Sequence, residues 1–278
     1  LLYNKKARYS HSEIVAEVNM NLCIDVGNTT INIGLFVDNR LIDQFSLTVD
    51  MVKTQDEYAA LIKQQVETKR IDIKLINNII FSSVVPLLNV PLKGALKSVF
   101  HHELMVIEPG VKTGLTFKVD NPLEIGNDLI ADLVGVKEIY GYPCIIADLG
   151  TASKILLLDK DGYFSSALIM PGISISAENL TNRAALLPSV SLEKPKSVLA
   201  KNTIEAMNSG ILYGHSDMIL GLIARVEKEL GYSTKHILTG GGAVYIKDIL
   251  KNDFIFDQNI NLIGLNIIIN KNGGRYEK

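Results

Sequence analysis

Short apolar runs separated by polar turns open the chain and predict strands at Asn21–Asp25, Ile31–Val37 and Leu41–Thr48, the last two joined by the turn sequence Asp38-Asn39-Arg40. The period then lengthens. Over about 56–68, Tyr58, Leu61, Ile62 and Val66 recur on one side, the spacing of a helix. Asn78–Ser82 reads as a strand running into Ser82-Ser83-Val84-Val85-Pro86, and Pro91–Val99 as a helix. Within Gly126–Tyr140, Ile130, Leu133, Val134 and Val136 form a helical face, with Asn127 or Asp128 placed to cap it.

The opening pattern then returns. Cys144–Ala147, Lys154–Leu158 and Tyr163–Ile169 are strand-like, with a turn at Asp159–Gly162. After Pro171-Gly172 come a helix, a polar loop around Glu193–Lys196 and a long helix from about Thr203 to Glu229. His236–Thr239 is a strand leading through Gly240-Gly241-Gly242-Ala243 into a helix to about Lys251. This order predicts two α/β domains with mixed sheets, at residues 20–135 and 136–278, with Met20 opening the folded unit and residues 1–19 outside it.

Two words in this pattern carry chemistry. Ile24-Asp25-Val26-Gly27-Asn28-Thr29 and Ala147-Asp148-Leu149-Gly150-Thr151-Ala152 lie 123 residues apart, each between two strand-like runs. A strand that ends on Asp, turns through Gly and returns with hydroxyl residues exposes backbone N–H groups able to hold phosphate oxygens, while the Asp can hold a cation or its water. Gly27 and Gly150 allow close backbone approach, and Asn28, Thr29, Thr30 and Thr151 add neutral donors. The repetition predicts two related halves facing each other across a nucleotide cleft. No Gly-x-x-x-x-Gly-Lys-Ser/Thr is present, and Gly240–Gly242 lacks the spacing of a dinucleotide turn, so neither of those nucleotide folds applies. The triple glycine suits either the adenosine side of a cleft or a plain helix entry. Asp128 is the candidate general base: phosphoryl transfer to an alcohol needs a carboxylate to accept the hydroxyl proton, and a helix start stabilises the anion.

Composition narrows the partners. Net charge is −2 and the basic residues are scattered, which argues against nucleic acid and anionic membrane and for a small-molecule substrate. No apolar run approaches the roughly 20 residues needed to span a bilayer, and residues 1–19 are polar and basic without the apolar stretch of a secretory signal. Cys23 and Cys144 fall in predicted strands and none of the five histidines has ligand spacing, a pattern of buried reduced thiols that suits a cytoplasmic protein.

The words and their order resemble the type III pantothenate kinases of the acetate-and-sugar-kinase/actin superfamily. The resemblance runs from Met20 through nearly the whole chain: Asp25-Val-Gly-Asn-Thr29, Lys53-Thr-x-Asp-Glu57, Ser83-Val-Val-Pro86, Asp120-Asn-Pro122, Gly126-x-Asp128, Asp148-x-Gly-Thr-Ala152, Pro171-Gly172, Arg183-Ala-x-x-Leu-Pro188, Asn202-Thr203 and Thr239-Gly-Gly241. It implies two actin-like (ribonuclease-H-like) domains and ATP-dependent phosphorylation of pantothenate to 4′-phosphopantothenate, the first step of coenzyme A biosynthesis. By the same resemblance ATP, with magnesium, is held by Asp25, Val26, Gly27, Asn28, Thr29, Thr30, Ile31 and Asn32 and by Thr151. Pantothenate is held by Gly126, Asn127, Asp128, Leu129 and Thr203, with Asp128 the catalytic base. Asp148 would hold a monovalent cation, usually potassium with ammonium as the alternative, and the enzyme would be a homodimer with its substrate pocket at the subunit interface.

Some positions depart from the family pattern. The usual Gly-Ala-Asp-Arg is Gly126-Asn127-Asp128-Leu129, a Tyr nine residues before the base is Val119, a Gly-Gly is Ser166-Ala167, and a threonine run ends in Ser153-Lys154. Losing a charged hydrogen bond to the substrate carboxylate costs about 1.5–3 kcal/mol. Lys154 or Lys112 could restore the charge. The departures on the acceptor side leave two alternatives to pantothenate phosphorylation: a different small hydroxylated acceptor, or a retired nucleotide-binding regulator.

Overall fold

The computed structural model describes residues 20–273, so the expectation for residues 1–19 lies outside the described residues. The chain forms two α/β units. Residues 20–114, 123–135 and 261–273 belong to the first, and 115–122 with 136–260 to the second.

In the first unit, β1 (Met20–Val26), β2 (Thr30–Val37) and β3 (Arg40–Thr48) form an antiparallel meander. Helix α1 (Gln55–Thr68) follows, then β4 (Ile76–Ser83), α2 (Pro86–Phe100), β5 (Leu104–Val106) and the start of α3 (Asn127–Ile139). The sheet order is β3-β2-β1-β4-β5, with β4 parallel to β1 and β5 parallel to β4. Strand β1 is buried along its whole length, as its near-continuous apolar run requires of a central strand. Edge strand β3 alternates between exposed and half-buried positions. The Lys53-Thr-x-Asp-Glu57 block is a helix start: the Thr54 side chain accepts from the Glu57 N–H at 3.3 Å, and the Glu57 carboxylate accepts from the Thr54 N–H at 2.7 Å.

Helix α2 begins at Pro86, five residues before the position the sequence pattern assigns. Pro86 occupies the first turn, where a missing N–H costs nothing, so Pro91 is carried inside the helix rather than opening it.

The second unit repeats the design. β6 (Cys144–Leu149), β7 (Ala152–Leu158) and β8 (Phe164–Pro171) form a meander, followed by α4 (Ile173–Arg183), α5 (Thr203–Leu230), β9 (Lys235–Thr239), the short α6 (Ala243–Ile246) and β10 (Ile255–Phe256). The order β8-β7-β6-β9-β10, with β9 parallel to β6, is the topology of the first sheet over again. Each unit has its own aliphatic core. The helix expected to reach Lys251 ends at Ile246 and continues as turns.

The last helix, α7 (Ile260–Lys271), departs from the expected boundary, which gave everything after 135 to the second domain. It packs in the first unit through asparagines. The Asn21 side-chain amide donates to Asn266 at 2.8 Å and to Asn270 at 2.9 Å, Asn78 donates to Asn21 at 2.9 Å, and Asn266 donates to the Asp38 carbonyl at 2.8 Å. Gly264 lies against the Ala131 carbonyl of α3, where a Cβ would overlap it. Residues 115–122 join the second unit because Lys118 N–H donates to the Phe164 carbonyl at 2.8 Å and Phe164 N–H to that of Thr116 at 2.9 Å.

Candidate active site

In the first unit, β1 and β2 stay paired up to Asp25 opposite Asn32 and Val26 opposite Ile31, leaving 27–30 as the turn. The Gly27 N–H closes it on the Thr30 carbonyl at 3.0 Å, and Asn28, Thr29 and Thr30 are exposed at the tip. Val26 and Ile31 are wholly buried, so only their backbone can face a ligand. Asn32 accepts from the Ser46 hydroxyl at 2.8 Å. Asp25 is 8% exposed and stands beside Ser82 of β4 in the parallel register; the buried Ser82 hydroxyl has no hydrogen-bond partner among the described residues.

The carboxyl ends of the parallel strands bring Asp128 to this same end of the sheet. Val84, just past β4, donates its N–H to the Val26 carbonyl at 3.0 Å, and its side chain is the nearest neighbour beyond Asp128 that a Cβ on Gly126 would meet, at 3.9 Å. The Asn127 side chain donates to the Ile107 carbonyl beyond β5 at 3.0 Å, fixing the start of α3. The capping expectation therefore changes. The carbonyl of Gly126 accepts the first helical bond, from Ile130 N–H at 3.2 Å, while Asn127 acts as a tie to the sheet and Asp128 is the second helical residue. The Asp128 carboxylate folds back over Gly126, whose missing side chain makes the room. Its carbonyl accepts from Asn261 of the first unit at 3.1 Å. Leu129 is buried in α3 at 9% exposure.

In the second unit, Asp148 stands directly opposite Lys154 and Leu149 opposite Ser153, so this turn is one residue shorter. Thr151 is exposed at its tip. The turn is wrapped by glycines that sequence reasoning had not tied to it. Gly172 packs on the carbonyls of Gly150 and Thr151, and Gly240 would place a Cβ 2.6 Å from both Asp148 Oδ1 and the Leu149 N. Gly240 also has φ +87°, a left-handed conformation, and Gly242 donates to the Leu149 carbonyl at 2.6 Å. The triple glycine thus braces the second hairpin. The only sequence signal for this was its position directly after a parallel strand. Thr203 is exposed as the first residue of α5, whose cap is Asn202, accepting from the Glu205 N–H at 2.9 Å.

The carboxylate of Asp148 is already engaged. Lys154 Nζ donates to Asp148 Oδ2 at 3.1 Å, with the two side chains 17% and 12% exposed. A monovalent cation on this carboxylate would share it with an ammonium group, so the residues present do not fit a bound potassium ion. Lys112, the other candidate for the missing Arg charge, is exposed in the first unit.

Among the described residues, no group of three or more His, Cys, Asp and Glu side chains could hold a metal, and no helix is long and apolar enough to cross a membrane. Cys23 and Cys144 are free and buried. Burial pushes the Cys23 thiol well up and the Cys144 thiol up to about 12, which favours the neutral thiol in both.

Two mixed sheets of one topology, each with an Asp-x-Gly hairpin on its central strand, define an actin-like α/β fold. Solved structures agree on the fold. A Baf family transcriptional activator from Campylobacter jejuni matches with TM-score 0.56 at 20% identity, over 91% of this chain and 100% of that one. MreB 5 of Spiroplasma citri bound to AMPPNP matches with TM-score 0.52 at 13% identity, over 91% and 98%. The family model of type III pantothenate kinase matches residues 21–225, and the type III pantothenate kinase of Halalkalibacterium halodurans is 39% identical over 91% of this chain and 100% of its own length. The chain belongs to the type III pantothenate kinase family.

Proposed function

We infer that this chain transfers the terminal phosphoryl group of ATP to the primary hydroxyl of pantothenate, giving 4′-phosphopantothenate for coenzyme A synthesis. The observation that carries this reading is the placement of Asp128 at the sheet end that bears the Asp25–Asn32 hairpin, within a family of that activity.

The N–H groups of 28–30 and the side chains of Asn28, Thr29 and Thr30 are assigned to the phosphates of ATP, which enters as its magnesium complex, and Thr151 is assigned to ATP on the family resemblance alone. Asp128 accepts the proton of the attacking hydroxyl, and the carboxylate is aimed by its fold over Gly126 and by the anchoring of α3 through Asn127. Charge then develops on the phosphoryl group against the preorganised turn N–H groups rather than against mobile water. Gly126, Asn127, Leu129 and Thr203 are assigned to pantothenate. With Leu129 in place of an Arg, the acceptor site holds the substrate carboxylate through other groups. No step in this scheme needs potassium at Asp148.

The homodimer implied by the resemblance is carried as part of this reading. A metabolic kinase of this kind works in the cytoplasm.

The test is formation of 4′-phosphopantothenate from ATP and pantothenate, followed by mass, in the parent and in Asp128→Asn. The parent should turn over, and the variant should lose about 10²–10⁴-fold in kcat while ATP binding stays within about a factor of two, since the turn N–H groups carry it. Undiminished turnover in Asp128→Asn would remove Asp128 from the role of base. Absence of product from the parent, with ATP still bound, would point to another acceptor.

A further inference from the structure

We propose that the Lys154 ammonium is a built-in cation of the nucleotide site, holding the place on Asp148 that a monovalent metal ion would otherwise take, so that the enzyme runs without potassium. The proposal rests on the kinase reading above.

It starts from register. Asp148 and Lys154 are directly opposed on antiparallel strands β6 and β7, so their side chains leave the same face of the sheet. The lysine is long enough to turn its ammonium back onto the facing carboxylate, and it does so at 3.1 Å. The pair lies where β6 and β7 part into the Gly150–Thr151 turn, the element assigned to ATP. Its surroundings are closed: Gly240 backs Asp148 Oδ1 so tightly that a Cβ there would sit 2.6 Å away. Oδ2 thus takes the ammonium, and Gly240 packs close beside Oδ1. A hard monovalent cation needs several oxygen ligands and would have to share this one carboxylate with a positive charge.

The first hairpin offers an internal comparison. The position that Lys154 occupies opposite Asp148 is held by Asn32 opposite Asp25. Asn32 is neutral and points its amide oxygen to Ser46, so that half gains no charge. Of the two residues directly opposite the hairpin aspartates, Lys154 carries a positive charge and Asn32 does not. An ammonium differs from a diffusible ion in being present at any salt composition, and it adds one positive charge that ATP phosphates meet on binding.

The experiment uses the full chain in sodium, potassium and tetramethylammonium chloride at one ionic strength. It reads the dissociation constant of magnesium-ATP by calorimetry, and kcat with KM for ATP by 4′-phosphopantothenate formation. The parent should differ by less than about twofold among the three salts in every quantity. Lys154→Met, which keeps length and loses charge, should weaken ATP binding at least about fivefold in all three salts. Lys154→Thr, which opens room beside Asp148, should bind ATP weakly in tetramethylammonium and regain affinity in potassium. Three results overturn the proposal: potassium activation of the parent beyond about threefold, unchanged ATP affinity in Lys154→Met, or a Lys154→Thr enzyme as indifferent to potassium as its parent. A pair that only braced the sheet would lower thermal stability in both variants without moving ATP affinity. The parent salt series stands even where a variant fails to fold. Loss of product in every salt with ATP bound normally would count against the pantothenate reading alone, because the calorimetric arm still tests Lys154.

Discussion

Substituting Gly126 by Ala separates stability from catalysis at one atom. The added Cβ would overlap Asp128 Oδ1, and the next atom in its way is Val84 Cγ1 at 3.9 Å, an ordinary contact. The obstruction is the far end of a side chain, so the backbone can stay and the carboxylate must swing. Exchanging Gly for Ala at a cap position costs about 0.5–1 kcal/mol, and driving a side chain off its rotamer costs about the same again. Global stability therefore falls by at most about 2 kcal/mol. Catalysis is more sensitive, because a misplacement of about 1 Å in a reacting group can cost 10²-fold, about 2.7 kcal/mol of barrier. The expected result is a fall in kcat of about 30- to 100-fold, with KM for ATP unchanged because the turn proposed to hold phosphate is the one between β1 and β2. Kinetics should be paired with chemical unfolding and with the double variant Gly126→Ala, Asp128→Asn. If the glycine acts through the carboxylate, the double variant is no slower than Asp128→Asn alone. Equal and additive losses, or kcat retained within about threefold, would refute the argument that Gly126 exists to seat Asp128.

Other consequences follow from the buried polar and thiol groups. Asn266, 1% exposed, bridges Asn21 and the Asp38 carbonyl, so Asn266→Ala should destabilise the chain by about 2–3 kcal/mol in urea unfolding. Asn270→Ala, at an exposed position, should cost clearly less; equal losses would show that burial of the bridge is not what matters. Both thiols are raised by burial, Cys144 from 9.0 up to about 12 and Cys23 well above 9.0, so the unfolded chain loses these protons first as pH rises. Stability should therefore be insensitive to the thiols below about pH 9, then fall by about 1.4 kcal/mol per pH unit for each thiol above it. Tyr140 adds in the same direction, raised by burial and by its hydrogen bond to Asp257. Cys144→Ala should remove one thiol's share of the slope between about pH 9 and 12, and an unaltered slope would contradict the burial argument.

Much of the fold is legible in the sequence because its signals are local. Strands β1 and β6 announce themselves as apolar runs ending on Asp-x-Gly, β2 and β7 as the apolar runs that return from those turns, and helix α5 as a long helix from about Thr203. What escapes is set by distant partners. Helix α7 is apolar nearly all round, so periodicity gives it no preferred side; its place in the first unit is decided by Asn266 and Asn270 meeting Asn21, some 245 positions away in the chain. The short strands β5 and β10 have too few residues to show a period and exist only because β4 and β9 offer an edge. At the candidate site the hairpins and Asp128 are readable as residue types, whereas the seating of Asp128 on Gly126 and the bracing of the second turn by Gly172 and Gly240 depend on contacts across the fold.

The two halves also show where duplication stops constraining the chain. Their sheets share one order, and both central strands end on an aspartate followed by an apolar residue and glycine. Past that point the return strands differ. The first turn spends four residues and faces its aspartate with Asn32; the second spends three and faces its aspartate with Lys154. Both return strands place a residue directly opposite the aspartate, and in the second half a lysine at that register reaches the carboxylate without leaving its strand. The shared topology explains why each half carries an Asp-x-Gly hairpin on its central strand. The residue opposite each aspartate sets the charge beside it, a neutral asparagine in the first half and a lysine ammonium in the second.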